Sequence, residues 1–117
     1  HQPLHIGRPE DRGGNGTKVK FGEKMVNLHS LWDGILLDQR KEDLQATVKR
    51  LVSQQRSTAE LRKIFDPAVV VEENFRLRGF VYSYTQDEID RNYSSKAMEI
   101  IDERLWTGGI RLASALN

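Results

Sequence analysis

Apolar residues along most of this chain recur every three or four positions, the spacing that places them on one side of an α-helix. Asn27 precedes such a run and is suited to cap a helix, since its side chain can accept a hydrogen bond from the first turn. The same reasoning predicts further helices over about residues 42–55, from Ser57, from the Asp66-Pro67 pair, and over about residues 87–115. The pattern therefore predicts a mainly helical bundle.

Each longer helix has one predicted core face, on which its apolar residues align. These residues are Leu44, Val48, Leu51 and Val52 of the second helix, Val71, Phe75, Gly79 and Tyr82 of the fourth, and Ile89, Tyr93, Ala97, Ile101, Leu105 and Leu112 of the last.

The segment before Asn27 has a different pattern, in which residues 17–21 alternate polar and apolar side chains. Gly22, Glu23 and Lys24 suit a turn, and Met25 can begin a returning strand. Five of the nine glycines lie before Asn27, which fits a segment of loops and turns. The expected fold class is therefore all-α with a short β-hairpin near the N-terminus.

Composition narrows the possible partners and chemistry. With 117 residues the chain allows one small domain, and a formal net charge of +1 gives no global basic field, so a nucleic acid would be bound locally. No apolar run approaches the roughly 20 residues of a membrane span, so no stable membrane association is expected. The absence of cysteine excludes disulfides, thiol catalysis and thiolate metal sites.

Imidazole and carboxylate groups remain as candidate metal ligands, and all three histidines, His1, His5 and His29, lie early in the chain. His29 and Asp33 are four residues apart on a predicted helix, so both project from the same face and can hold one ion. With His5 they would form a three-ligand zinc site with open positions. The alternative interpretation of the His29 and Asp33 spacing is a surface ion pair, which is the more frequent meaning of that spacing alone.

Four short sequence motifs along the chain add to this local evidence. They are His1-Gln2-Pro3-Leu4-His5, Asp11-Arg12-Gly13-Gly14-Asn15, Asn27-Leu28-His29-Ser30-Leu31-Trp32-Asp33 and Gly109-Ile110-Arg111-Leu112-Ala113. In this order they resemble the C-terminal half of the S1/P1 nucleases, a zinc-dependent, mostly helical family related to the trinuclear-zinc phospholipases C. The resemblance implies a phospholipase C/P1 nuclease-like fold, with residues 1–117 as the C-terminal portion of a single domain.

The resemblance also implies roles for individual residues. It makes His5, His29 and Asp33 the ligands of one Zn²⁺ in a cluster of three, while the attacking hydroxide is held by zincs whose ligands lie outside this chain, so no catalytic residue is assigned here. His1 is expected to be a hydrogen-bonded structural histidine. Family members often carry Trp-Ala-x-Glu-Ser at positions 70 to 74, where this chain keeps only Glu73.

By this resemblance, the parent protein is expected to be a secreted or periplasmic zinc-dependent endonuclease. Its expected substrates are single-stranded DNA and RNA, and nucleotides if it also has 3′-nucleotidase activity. One alternative is a phospholipase C-like zinc hydrolase. Two features favour the nuclease over this alternative: Asp33, where those relatives tend to carry Glu, and the Gly-Gly-Asn motif. The other alternative is a non-catalytic helical binding module.

Overall fold

The fold is mainly helical with one short hairpin, as the sequence pattern predicts. A computed structural model describes residues 1–54, 57–58 and 66–117. Two 3₁₀ turns, Pro3–Ile6 and Pro9–Asp11, precede strands β1 (Lys18–Phe21) and β2 (Lys24–Asn27). Helix α1 consists of Leu28–Ser30, a π-helical turn at Leu31–Ile35, and Leu36–Asp38; it is followed by α2 (Leu44–Ser53), α3 (Pro67–Val81) and α4 (Arg91–Leu116).

Side-chain caps fix where the helices begin. Asn27 accepts from the Ser30 N–H at 2.7 Å and Asp66 from the Ala68 N–H at 2.8 Å, which confirms both predicted starts. Helix α4 begins later than predicted, because Asp87 has a left-handed backbone with φ +56° and Asp90 provides the cap. The helix predicted from Ser57 and the predicted end of the second helix at Gln55 lie outside the described residues.

The hairpin is antiparallel and is attached to the loop before α4. Its register runs from Lys18 opposite Asn27 to Phe21 opposite Lys24. Lys20 donates its N–H to the Asp87 carbonyl at 2.7 Å and accepts from the Ile89 N–H at 2.9 Å. The hairpin is therefore held against the helical part of the fold by backbone hydrogen bonds.

Trp32 of α1 joins three helices at the centre of the core. Its Nε1 donates to the Tyr93 hydroxyl at 2.9 Å, and that hydroxyl donates to the Val81 carbonyl at 2.6 Å. Both polar tips are thus satisfied inside an apolar cluster, and burial raises the pKa of Tyr93. The other members of this cluster are Leu4, Val19, Leu28, Leu31, Leu36, Val81, Ile89, Ala97, Ile100 and Ile101.

The predicted core face of α2 is largely wrong, since Leu44, Val48 and Val52 are exposed and only Leu51 is buried. Charged contacts attach this helix instead. Asp102 of α4, 3% exposed, accepts from Arg50 at 2.7 Å and from Arg40, just after α1, at 2.6 Å. The spacing of apolar residues cannot predict which face of a helix turns inward when ion pairs attach that helix to the fold.

The predicted inner face of α3 is also wrong at Val71, Phe75 and Gly79, which are exposed. Helix α3 instead directs Glu73 toward α4, where Arg104 and Arg111 pair with it. These two arginines are 7% and 6% exposed. The stripe of α4 is confirmed from Tyr93 to Ile101 but fails at Leu105 and Leu112, which are exposed because the arginines occupy the inner side.

Candidate metal centre

His5, His29 and Asp33 meet at one surface of the fold. Each offers one ligand atom, and the three atoms lie within 4.8 Å of one another. His5 and Asp33 are exposed and His29 is half-buried, so the group faces solvent on one side. The structure therefore brings together the three side chains that the sequence singled out.

The turn at Pro3–Ile6 positions His5. The Gln2 side chain accepts from the Leu4 N–H at 2.8 Å and thereby caps this turn. Leu4 is 2% exposed and packs in the core, so the next side chain projects outward. The ring centroids of His5 and His29 are 5.6 Å apart and the planes differ by 21°, which leaves the two imidazoles nearly parallel.

A backbone carbonyl sets the orientation of His29. Its Nδ1 lies 2.8 Å from the Gly13 carbonyl oxygen. Because a carbonyl only accepts, Nδ1 carries a proton, and in the neutral imidazole Nε2 then has a free lone pair, the form in which imidazole binds metals. The His29 N–H also donates to the Gly14 carbonyl at 3.3 Å, so backbone and ring are held by the same loop.

Asp11 holds that loop in place. Its carboxylate accepts from the Gly14 N–H at 2.9 Å, the Thr17 hydroxyl at 2.8 Å and the Tyr82 hydroxyl at 3.1 Å. Partial burial alone would raise the pKa of Asp11, but these three hydrogen bonds and the charge of Arg8 hold it below its ordinary value. Sequence reasoning assigned Asp11 no role; the available signal was an aspartate three residues before a glycine, typical of a side-chain-stabilised turn.

Helix α1 presents His29 and Asp33 while it buries its other side. Leu28, Leu31 and Trp32 are at most 3% exposed. Asp33 lies inside the π-helical turn Leu31–Ile35, a departure from regular helix that is frequent at functional sites. One helix thus supplies two of the three candidate ligands from a buried support.

Two depressions flank the three side chains. The first is lined by Asp33 and Trp32 together with Leu37, Leu105 and Arg104, and its walls are mostly apolar. The second shares His5 and His29 and is lined also by Arg8 and Arg12. The candidate centre therefore lies between an apolar and a basic surface.

His1 stands apart from this group and forms part of an ionic cluster. Its Nε2 accepts from Arg111 Nη1 at 3.0 Å, in agreement with the predicted structural role. Glu73 accepts from Arg111 at 2.7 and 2.8 Å and from Arg104 at 2.9 Å. The hydrogen bonds from Arg111 are the largest cause that lowers the pKa of Glu73 to about 2. Sequence reasoning missed the two arginines, although they lie seven residues apart on one face of α4.

The donor set fits a divalent transition metal. Two imidazole nitrogens and one carboxylate oxygen are ligands that zinc accepts, and three protein ligands leave positions open for water or substrate. The tautomer that the Gly13 carbonyl imposes on His29 is the metal-binding one. These three side chains can therefore hold a metal ion.

Within the described part of the chain, no helix is both long enough and apolar enough to cross a membrane.

Comparison of the sequence with known proteins identifies the family of this chain. Residues 1–117 match the family model described as S1/P1 Nuclease. Endonuclease 2 of Arabidopsis thaliana is 27% identical over 134 aligned residues, which include all of this chain and 46% of the relative. Endonuclease 4 of the same organism is 29% identical, over the whole chain and 45% of its own length. The chain thus spans about half the length of the curated relatives that it matches, and it belongs to the S1/P1 nuclease family.

Proposed function

We propose that His5, His29 and Asp33 hold a zinc ion and that the chain contributes this site to the hydrolysis of phosphodiester bonds in single-stranded nucleic acid. The observation that carries the proposal is the hydrogen bond from His29 Nδ1 to the Gly13 carbonyl, which prepares the imidazole for a metal in a group with His5 and Asp33. Membership of a nuclease family supports the choice of reaction.

The charges of the ligands suit a phosphate substrate. A bound zinc ion would supply a Lewis acid for phosphoryl oxygens. His5 and His29 bind as neutral donors and Asp33 brings one negative charge, so the loaded site keeps a net positive charge that attracts an anion. The half-buried His29 and the buried Trp32 behind Asp33 restrict solvent on one side, which strengthens this attraction.

The proposal includes the place of this chain in a larger unit. Residues 1–117 correspond to the C-terminal portion of an S1/P1 nuclease-like domain, and the groups that activate the attacking water come from the remainder. The support is the match of the whole chain to about half of each relative. Secretion, a three-zinc cluster and 3′-nucleotidase activity are proposed for the complete protein on the same family resemblance, which also favours a nuclease over a phospholipase C-like hydrolase.

Zinc titration of the chain tests the proposed site. We expect one equivalent of zinc to bind to the wild type, and His29→Ala to weaken binding by about 100-fold or more because one of three ligands is lost. His1→Ala is the matched control, since His1 lies in the ionic cluster with Arg111. Equal zinc affinity in the wild type and His29→Ala would reject the site. The same variant introduced into a complete, active family member should abolish cleavage of single-stranded DNA.

A further inference from the structure

The basic depression beside the candidate metal centre differs in charge from the rest of the site. Its lining contains two arginines, Arg8 and Arg12, together with His5 and His29. Among the described residues, none of those that line it carries a carboxylate, whereas the neighbouring depression contains Asp33. The described lining of this depression therefore offers an anion two guanidinium groups and two imidazoles.

Arg8 is held by a network that reaches the metal-centre loop. Its guanidinium lies 4.2 Å from the centre of the Tyr82 ring, a cation–π distance. The backbone N–H of Arg8 donates to the Tyr82 hydroxyl at 3.1 Å, and that hydroxyl donates to Asp11. Asp11 in turn anchors Gly14, next to the carbonyl that orients His29. The position of Arg8 is thus fixed by the groups that also fix His29.

The backbone of Arg12 is fixed as well, immediately before Gly13. It has a left-handed conformation with φ +54°. Its N–H donates to the Pro9 carbonyl at 3.1 Å, and its carbonyl accepts from the Asn15 side chain at 3.0 Å. Such a backbone requires local support in a residue other than glycine. The loop therefore presents Arg12 at a defined point beside the two imidazoles.

Neither arginine is used in an ion pair within the described part of the chain. Asp11, the nearest acid in the network, already accepts three hydrogen bonds. The buried arginines behave differently, because Arg104 and Arg111 are committed to Glu73. Exposed guanidinium groups that are positioned but not paired are suited to bidentate binding of phosphate oxygens.

We propose that Arg8 and Arg12 form a phosphate-binding subsite that takes a backbone phosphate of single-stranded nucleic acid next to the phosphate at the metal centre. This inference rests on the proposed function, because it uses the metal centre to define the neighbouring phosphate. The two arginines position the strand and carry no chemical step. The ligand is a phosphodiester, and a free phosphate ion satisfies the same guanidinium groups more weakly.

Salt-dependent binding of a fluorescein-labelled octathymidylate tests the subsite without metal. The full chain is titrated in EDTA at 50 and 200 mM salt, as wild type, Arg8→Gln, Arg12→Asn and the double variant; asparagine is chosen because it tolerates a left-handed backbone. Each phosphate contact to a single strand contributes about 0.7 to the slope of log affinity against log salt. Because the two arginines share one phosphate, the double variant should lower the slope by about 0.7, so that its affinity deficit shrinks by about 2.6-fold between the two salt concentrations.

The control Lys24→Gln/Lys49→Gln removes the same charge at two exposed lysines that line neither depression. If the double arginine variant shows the same slope and the same affinity as this control, the subsite is rejected. If Arg8→Gln fails to fold, Arg12→Asn alone should still lower both the slope and the affinity relative to the control Lys24→Gln. Inorganic phosphate should displace the oligonucleotide from the wild type at lower concentration than from Arg12→Asn, and equal displacement would count against the subsite. Because no metal is present, loss of the arginine effect is distinguishable from failure of zinc binding.

Discussion

A β-carbon on Gly13 would lie 2.4 Å from the carbonyl oxygen of Leu4, so near that one of the two backbones would have to move. Gly13 also has φ +64°, which disfavours any residue with a side chain. Leu4 precedes His5, and the Gly13 carbonyl orients His29. One close contact between two loops therefore sets the relative position of the two candidate imidazole ligands.

Gly13→Ala should weaken zinc binding as well as folding. The displaced loop would no longer offer its carbonyl to His29 Nδ1, and loss of such a supporting hydrogen bond typically lowers metal affinity by about 10- to 100-fold. The steric conflict and the left-handed backbone together should lower the free energy of unfolding by about 3 kcal/mol. Zinc titration and urea unfolding of the variant measure both effects.

Gly22→Ala separates backbone strain from the displaced carbonyl. Gly22 has φ +60°, but a β-carbon there would meet nothing within 4 Å. It should cost only about 1 kcal/mol and leave zinc affinity unchanged. If both alanine variants bind zinc as the wild type does, the Gly13 carbonyl does not orient the ligand.

Glu73→Gln should destabilise the fold most near neutral pH. The ionised carboxylate pairs with the buried guanidinium groups of Arg104 and Arg111, and its removal leaves two charges without a counterion, at a cost of about 3 kcal/mol at pH 7. The folded pKa of Glu73, about 2, lies below its ordinary value of 4.5. The stabilisation is therefore complete above pH 4.5 and is lost as pH falls toward 2.

Urea unfolding of wild type and Glu73→Gln at pH 7, 4.5, 3 and 2 checks this expectation. The difference between the two free energies of unfolding should shrink below pH 4.5. Glu72→Gln is the matched control, because Glu72 is exposed and, among the residues that the structure describes, its ion-pair partner is Arg76 one turn away. That pair is expected to contribute about 0.5 kcal/mol at most. If the difference in free energy of unfolding between wild type and Glu73→Gln stays constant from pH 7 to 2, ionisation of Glu73 does not supply the stabilisation.

Removal of zinc should lower the melting temperature of the wild type. A metal that binds only the folded state stabilises it by about 2.7 kcal/mol at a concentration 100 times its Kd, which corresponds to roughly 10 °C for a chain of this size. Differential scanning fluorimetry with zinc and then with excess EDTA measures the shift. His29→Ala should show no such shift, and an equal response in both proteins would place the bound metal elsewhere.

Asp102→Ala should detach α2 from the rest of the fold. Asp102 accepts from Arg40 and Arg50, while the apolar residues Leu44, Val48 and Val52 of α2 are exposed and contribute little packing. Amide hydrogen exchange over residues 44–53 should therefore accelerate by tenfold or more, with a smaller effect in α4. Glu103→Ala, at the exposed neighbouring residue, is the control. Equal amide exchange rates over residues 44–53 in the two variants would argue against this attachment.

The sequence was sufficient for the elements that rest on local rules. Asn27 and Asp66 cap helices, Gly22 lies in a hairpin turn, and the stripe from Tyr93 to Ile101 is buried as its spacing predicts. The three ligand candidates could be grouped in advance because helical spacing joins His29 to Asp33, His5 is another of the few imidazoles in the sequence, and the family resemblance names the same three residues. Local spacing and short sequence motifs are enough for these predictions, because none of them depends on contacts between residues far apart in the chain.

The sequence was insufficient where charged groups replace apolar packing. Nothing in the spacing around Glu73 shows that Arg104 and Arg111 will cover it, since the partners are 31 and 38 residues away. The exposed Val71 and Phe75 follow from the same contact, because α3 can direct only one side inward. Likewise the hydrogen bond from His29 to Gly13 depends on a loop whose shape is set by Asp11 and Tyr82 together.

The π-helical turn at Leu31–Ile35 accommodates a change of length between the candidate ligand Asp33 and the buried Leu36. A π turn holds one more residue than a regular helical turn. Deletion of Gly34 would remove that additional residue, so the turn could become regular helix while Leu36 keeps its orientation toward the core. The side of α1 that packs inward is thus tolerant of a one-residue deletion at this turn, whereas the same deletion in a regular helical segment would rotate everything beyond it by about 100°.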